Sequence, residues 1–488
     1  MKSSTSPVYE VRTRKSSNDD CCHLLRFFID DMNNRIIATF LLTLLVVIGL
    51  SALYYLPVLQ WGDVKLRKVD LLSDVRIRKE TAIVADSDTV ALPVIKPAFV
   101  DTCMSGMTCI EDFSDSTMRG MTHFYEHLGK IEKLRRPVRI AYFGDSYIEA
   151  DILTADLREM FQKRFGGCGV GYVPVFNPIS GFRPTVHHKY EGWRKHAVTD
   201  TIGFHKEYQD LSNQYFIPAS SASVTLSGQT KYASLLDTCQ ASSLFFRTTG
   251  NMKVTAQVNG FQTKEFLVSG KEQVQSLTVK GKIGKVKWSV AEMDSAAYFY
   301  GVTMDPLKGI ILDNFSVRGS SGKQLGGIPA AVFSKYDAIR QYDLVVLQYG
   351  LNVAHASVSN YDYYTRLMVP VVERIKRLFP NSSILIVGVG DREIKDEYGE
   401  LSTMPAVKNL IRYQKKLAFE TKVAFWNMFE AMGGEGSIVS LVNSNPPKAN
   451  LDYTHINFRG GKHLAQILFR TLMYGKKQYD KRKAYEQQ

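Results

Sequence analysis

At 488 residues, 45% apolar and 22% charged, the chain has ordinary globular composition and room for roughly two or three domains, which excludes a disordered or fibrous protein. A formal charge of +13 suits contact with an acidic polymer or a membrane surface. No helix-turn-helix signature, zinc-finger spacing or aromatic-basic motif accompanies it, so nucleic acid is not an expected partner. Six cysteines are too few for a disulfide scaffold.

Residues 1–35 are polar and mixed in charge and read as a short cytoplasmic tail. From Ile36 to Leu59 the sequence is continuously apolar, and because a bilayer core takes about 20 such residues, 36–59 predicts a transmembrane helix with Tyr54, Tyr55 and Trp61 at one interface. Lys and Arg flank both ends, and everything after Trp61 is expected on one side, outside the cytoplasm. Residues 60–117 read as a stalk. Within it Cys103 and Cys109 either pair, if the segment is exported, or stay as free thiols.

Residues 118–183 open an α/β pattern. Phe124, Leu128 and Ile131 have helical spacing. The apolar run from Val138 predicts a strand, closed by Gly144-Asp145-Ser146-Tyr147 and followed by a helix through Leu153, Leu157 and Phe161 to Phe165. That places the Ser146 hydroxyl at the carboxyl end of a parallel strand beside a helix N-terminus, as a candidate nucleophile. Taken alone, the same residues also suit a plain cap and turn.

Residues 184–307 change character: short alternating segments bounded by Gly228, Gly250, Gly260, Gly270 and Gly284 predict an inserted antiparallel β-sandwich. Residues 308–475 return to strands beginning at Gly309, Asp343, Ser383 and Val423. Helices over 330–340, 363–378 (with a kink near Pro370), 406–420 and 461–474 alternate with them. This predicts a parallel sheet flanked by helices, with ligands at the strand carboxyl ends, where Ser146, Gly319 and Asn352 fall. A basic tail, 476–488, reads as a solvated helix end.

Near the C-terminus, Asp452 and His455 stand three apart in one loop, close enough for the carboxylate to accept Nδ1–H and leave Nε2 free as a base. A capping or packing histidine is the alternative. His187, His188, His196 and His205 lack the spacing of a zinc site and read as surface residues, and no metal or cofactor is expected.

Four blocks, Gly144-Asp145-Ser146, Gly319, Gly350-Leu351-Asn352 and Asp452-Tyr453-Thr454-His455, resemble in order and context those of the SGNH (GDSL-like) hydrolases. The stretches 145–171 and 424–436 are similar to envelope peptidoglycan O-acetylesterases, which also carry a β-sandwich insertion resembling carbohydrate-binding modules. The resemblance implies Ser146 as nucleophile, His455 as general base and acid, and Asp452 as its orienter. It also implies an oxyanion hole of the Ser146 and Gly319 N–H groups with the Asn352 amide. Tyr147, Val353 and Asn427 depart from the usual residues at their positions.

The expected function is that of a membrane-anchored serine esterase removing O-acetyl groups from a cell-envelope polysaccharide, peptidoglycan first, outside the cytoplasm (in the periplasm if the cell has an outer membrane). The same triad would serve an O-acyltransferase fed by a membrane acyltransferase partner. A glycan-binding protein with a vestigial hydrolase fold is the third reading.

Overall fold

A computed structural model describes residues 37–49, 60–61, 64–65, 99–115, 120–200 and 202–487. The chain divides into two compact units, residues 1–96 and 97–488. In the first, a helix covers 37–49, and Gln60–Trp61 pairs antiparallel with Val64–Lys65. Among the described residues no helix is long and apolar enough to cross a membrane. Residues 50–59 of the predicted span, the expected cytoplasmic tail and much of the expected stalk lie outside the described residues.

The second unit starts with β1 (Glu111–Asp112), α1 (Thr122–Gly129), β2 (Val138–Gly144) and α2 (Thr154–Phe165). Antiparallel strands follow: β3 (Gly171–Pro174), β4 (His187–Ala197), β5 (Gln214–Ser227), β6 (Cys239–Thr248), β7 (Met252–Val258), β8 (Gln262–Val268), β9 (Lys271–Ile283), β10 (Lys285–Ala291) and β11 (Ala297–Asp305). The α/β pattern then resumes with β12 (Ile310–Ser316), α3 (Ala330–Arg340), β13 (Leu344–Gln348), α4 (Asp362–Leu378), β14 (Ser383–Val387), α5 (Pro405–Thr421), β15 (Ala424–Trp426) and α6 (Phe458–Gln487).

Strands β12, β2, β13, β14 and β15 lie side by side in that order, all parallel, with β1 antiparallel at the edge. Their near-continuous apolar sequences follow from burial on both faces. Successive side chains of β2 serve opposite layers: Ile140 and Tyr142 pack with Phe124, Leu157, Phe161 and Leu468 of α1, α2 and α6. Ala141 and Phe143 pack with Phe333, Val372 and Leu410 of α3, α4 and α5. Helix α4 runs as one element through Pro370.

Three expectations change here. Residues 99–115, expected as the end of a stalk, instead lie against the sheet and α6. Cys103 and Cys109 form a disulfide, the Thr108 carbonyl accepts from Trp426 Nε1 at 3.0 Å and Thr471 Oγ1 at 3.2 Å, and Asp101 pairs with Arg482 at 2.6 Å. That pair and the packing of Tyr479 on Tyr125, ring centroids 6.1 Å apart, give α6 a reason to continue through the expected tail to Gln487.

The inserted strands form one hydrogen-bonded, nine-stranded antiparallel network in the order β8-β7-β10-β5-β11-β6-β9, with β4 beside β5 and β3 beside β11, and it folds back on itself, so that Trp288 Nε1 of β10 donates to Ser242 Oγ of β6 at 3.1 Å. The long strand β5 links the two halves of this network, pairing β10 over Ala222–Ser227 and β11 at Phe216. Strand β3, which pairs Gly171–Pro174 with Gly301–Met304, brings the sheet's start ahead of the expected boundary at 184.

Candidate active site

The site forms where loops leave the carboxyl ends of β2, β12 and β13. At the end of β2, a Cβ on Gly144 would stand 2.9 Å from Ile148 Cδ1 and 3.0 Å from the Gln348 carbonyl oxygen, so any larger residue would have to displace Ile148 beneath the turn. Asp145 Oδ1 accepts the Tyr147 N–H at 3.0 Å, an Asx turn that lifts Ser146 between them. The predicted helix does not begin at once. Ala150 and Asp151 adopt positive φ (53° and 67°), and α2 starts at Thr154. The cause is Asp151, drawn into the interior to accept from Arg158 Nη1 at 3.2 Å, Arg183 Nε at 2.9 Å, Thr185 at 2.7 Å and Asn314 at 2.9 Å. Its carboxyl lies far below the ordinary range, because these two guanidiniums and the hydrogen bonds outweigh desolvation.

Ser146 is 8% exposed, and its Oγ lies 3.0 Å from His455 Nε2. His455 Nδ1 in turn lies 2.8 Å from Asp452 Oδ2. The loop carrying both is closed by the Ala449↔Ile456 bridge and by Asn450 N–H to the His455 carbonyl at 2.8 Å. Burial alone would raise the Asp452 carboxyl, but the N–H groups of His455 (2.9 Å) and Thr454 (3.0 Å) and the imidazole hold it below the usual carboxylate value. Asp452 is thus an anion at neutral pH, fixing the imidazole with Nε2 toward the hydroxyl. The segments predicted for these three groups come together.

Gly319 follows β12 in a turn with φ +79°. Neither its N–H nor that of Ser146 donates a hydrogen bond among the described residues, so both remain free for an acceptor. Asn352 is differently placed from the expectation of a free donor. Its Nδ2 already donates to Asp145 Oδ2 at 3.1 Å and to the Ser320 carbonyl at 3.0 Å, so an oxyanion must compete with or share one of them.

Two features escaped sequence reasoning. Asp145, taken there as a turn residue, is 2% exposed and holds Asn352 from below. Desolvation pushes its carboxyl up to about 6, against the hydrogen bonds of Tyr147 and Asn352. Glu149, on the turn after Ser146, pairs with Arg318, the residue before Gly319. The departure Asn427 caps the short helix Met428–Met432 by accepting the Glu430 N–H at 3.4 Å. His188, expected at the surface, donates its Nε2–H to the Val175 carbonyl at 3.2 Å, and burial lowers it to about 4. The grouping among the described residues nearest to a metal site is His123, His127 and Asp343. Arg136 Nη1 and Nη2 already hold that carboxylate at 2.7 Å each, a guanidinium where a cation would sit.

The second unit thus combines a parallel sheet with a serine, a histidine and an aspartate brought together at one end of it. No family model matches the chain, and no curated protein matches it. Among solved structures, that of a peptidoglycan O-acetylesterase superposes with a TM-score of 0.62 at 21% identity, covering 75% of this chain and 99% of that one. At that identity the likeness is one of fold. A family two carbohydrate esterase from Cellvibrio japonicus (TM-score 0.25, 9% identity, 62% of this chain and 98% of that one) and a putative GDSL-like lipase from Parabacteroides merdae (0.26, 14%, 34% and 74%) also match, at scores too low to carry an argument.

Proposed function

We propose that the chain is a carbohydrate esterase that removes O-acetyl groups from a cell-envelope polysaccharide, with peptidoglycan as its polymer. The observation that carries this reading is the relay from Ser146 to His455 to Asp452, at 3.0 and 2.8 Å. Ser146 Oγ attacks the acetyl carbonyl carbon while His455 Nε2 takes its proton, and the N–H groups of Ser146 and Gly319 receive the oxyanion. Collapse breaks the carbon–oxygen bond to the sugar, whose oxygen takes the proton from His455. Water, deprotonated by the same imidazole, then releases acetate and restores the serine.

Replacing Ser146 with Ala is expected to abolish acetate release from acetylated peptidoglycan. Release undiminished in that variant overturns the proposal. A sugar hydroxyl in place of water would make the same relay a transferase, and acetyl transfer to oligosaccharide acceptors without free acetate would assign that reaction instead. Insertion of 36–59 into the membrane, with the catalytic unit outside the cytoplasm, is also proposed, supported by the apolar run of the sequence. The full chain should fractionate with membranes and a chain starting at residue 60 should not.

A further inference from the structure

Beside the Ser146 turn lies a cavity of about 390 Å³, within the size range of small-ligand pockets. One wall is the parallel sheet's loops: Glu149 from the turn after Ser146, and Val317 and Arg318, which lead into Gly319. Ser316 stands in register with Gly144, and Val317 N–H donates to the Gly144 carbonyl at 2.9 Å. The cavity therefore begins one strand spacing from the backbone that carries the serine. The opposite wall belongs to the inserted sheet: Lys195 of β4, Thr199 beyond its end, and Gln214 at the start of β5. Phe176 closes one side, its ring packed edge-on against Tyr190 with centroids 4.5 Å apart.

The charges in this cavity are unevenly matched. Arg183 is neutralised by Asp151 at 2.9 Å, and Arg318 by Glu149. Lys195, exposed at the cavity wall, has no acidic partner among the described residues. A cation without an acidic partner among the described residues, facing amide and aromatic surface in a cavity lined by the segments that flank Ser146 and Gly319 but not by Ser146 itself, fits an anionic group carried by a sugar chain.

We propose that this cavity binds the glycan backbone that presents the acyl group to Ser146, and that Lys195 pairs with a carboxylate on that chain, so that the substrate is an acylated acidic glycan rather than a neutral one. The inference rests on the esterase reading above and extends it to the insertion, which becomes half of the substrate site. A favourable ion pair at such an exposed position changes affinity by about three- to fivefold.

The test compares kcat/KM for acetylated peptidoglycan fragments, acetylated cello-oligosaccharides and a chromogenic acetate ester in the wild type, Lys195→Ala, Lys195→Arg and Thr199→Trp, all checked for native circular dichroism. Lys195→Ala is expected to lower the acidic-to-neutral ratio about three- to fivefold, with Lys195→Arg restoring most of it. Thr199→Trp, which fills the cavity from an exposed position, is expected to lower the ratio of either glycan to the small ester by at least about tenfold. Ratios within twofold of wild type in folded variants overturn the inference. If the wild type releases no acetate from any glycan, the esterase reading fails separately. Calorimetric titration of Ser146→Ala with deacetylated peptidoglycan fragments then decides the cavity: binding weakened by Lys195→Ala upholds it, and binding unchanged overturns it.

Discussion

The Asp452 carboxylate is where the chemistry and the local fold coincide, because the same atoms that close the loop hold the imidazole. Asp452→Asn keeps the shape but presents the wrong hydrogen-bonding partner to Nδ1, and kcat is expected to drop by about 10³ to 10⁴ on a small acetate ester. Asp145 acts one step back. With asparagine there, one acceptor for the Tyr147 N–H or for Asn352 is lost, and kcat is expected to fall by about 10- to 100-fold with folding intact. The same substitution has a signature in stability. Native Asp145 titrates at about 6, above its ordinary 3.8, so its proton favours the native state at low pH, and that contribution is lost as the pH rises from about 4 to about 6. Melting temperatures should therefore shift in favour of Asp145→Asn between pH 4 and pH 7. A constant difference would mean the carboxyl is not perturbed. That Ser146, Asp452 and His455 would come together was legible because short blocks with local geometry carry them. Asp145 was not, since its partner Asn352 lies far along the chain and only the folded sheet brings the two together.

At the scale of elements, the tie between α1 and the sheet runs through Asp343, at the foot of β13. It accepts from Arg136, from His127 Nδ1 at 2.6 Å and from His123 Nε2 at 3.2 Å, and these donors hold its carboxyl far below the ordinary range despite desolvation. Such a depressed acid contributes stability above its unfolded value, lost as the pH falls through the folded one. Asp343→Asn is expected to cost about 3 kcal/mol at neutral pH, and the deficit should narrow as the pH drops below about 4. A deficit independent of pH would contradict the account. The strands and helices of the α/β half were readable because apolar runs and helical spacing mark them. What misled was local: the helix expected right after Ser146 is delayed by Asp151, whose buried partners Arg183 and Asn314 come from distant segments. The end of α6 was masked by its charge, which i,i+4 pairs such as Lys476–Asp480 at 2.6 Å satisfy.

Across the whole second unit, the inserted sheet and the parallel sheet share an interior. Tyr172 packs on Phe315 with centroids 4.9 Å apart, and Phe245 stacks on Tyr336 at 5.4 Å. Asp210 accepts from Tyr172 at 2.6 Å and from Tyr336 at 2.8 Å. Arg340 joins Asp305 of β11 to Asp313 of β12, the latter at 2.6 Å. Residues 97–488 should accordingly unfold in one calorimetric transition, and two separable transitions would show the insertion to be autonomous. Alternation in the sequence revealed that 184–307 is antiparallel sheet. It could not reveal that β5 stitches the strands into one hydrogen-bonded network or that Tyr172 and Phe245 bury themselves in the neighbour's core, because periodicity reports which side of a strand is covered and not by what.

The central claim is that the Ser146 hydroxyl is an activated nucleophile within the relay. It is tested most directly by reacting the full chain with a fluorophosphonate, locating the adduct by peptide mass spectrometry and following esterase activity in the same samples. The account predicts one covalent adduct per chain, on Ser146, activity lost in proportion to labelling, and labelling slowed severely in His455→Ala. Esterase activity that survives complete labelling of Ser146, or an inactivating adduct on another residue, would contradict it.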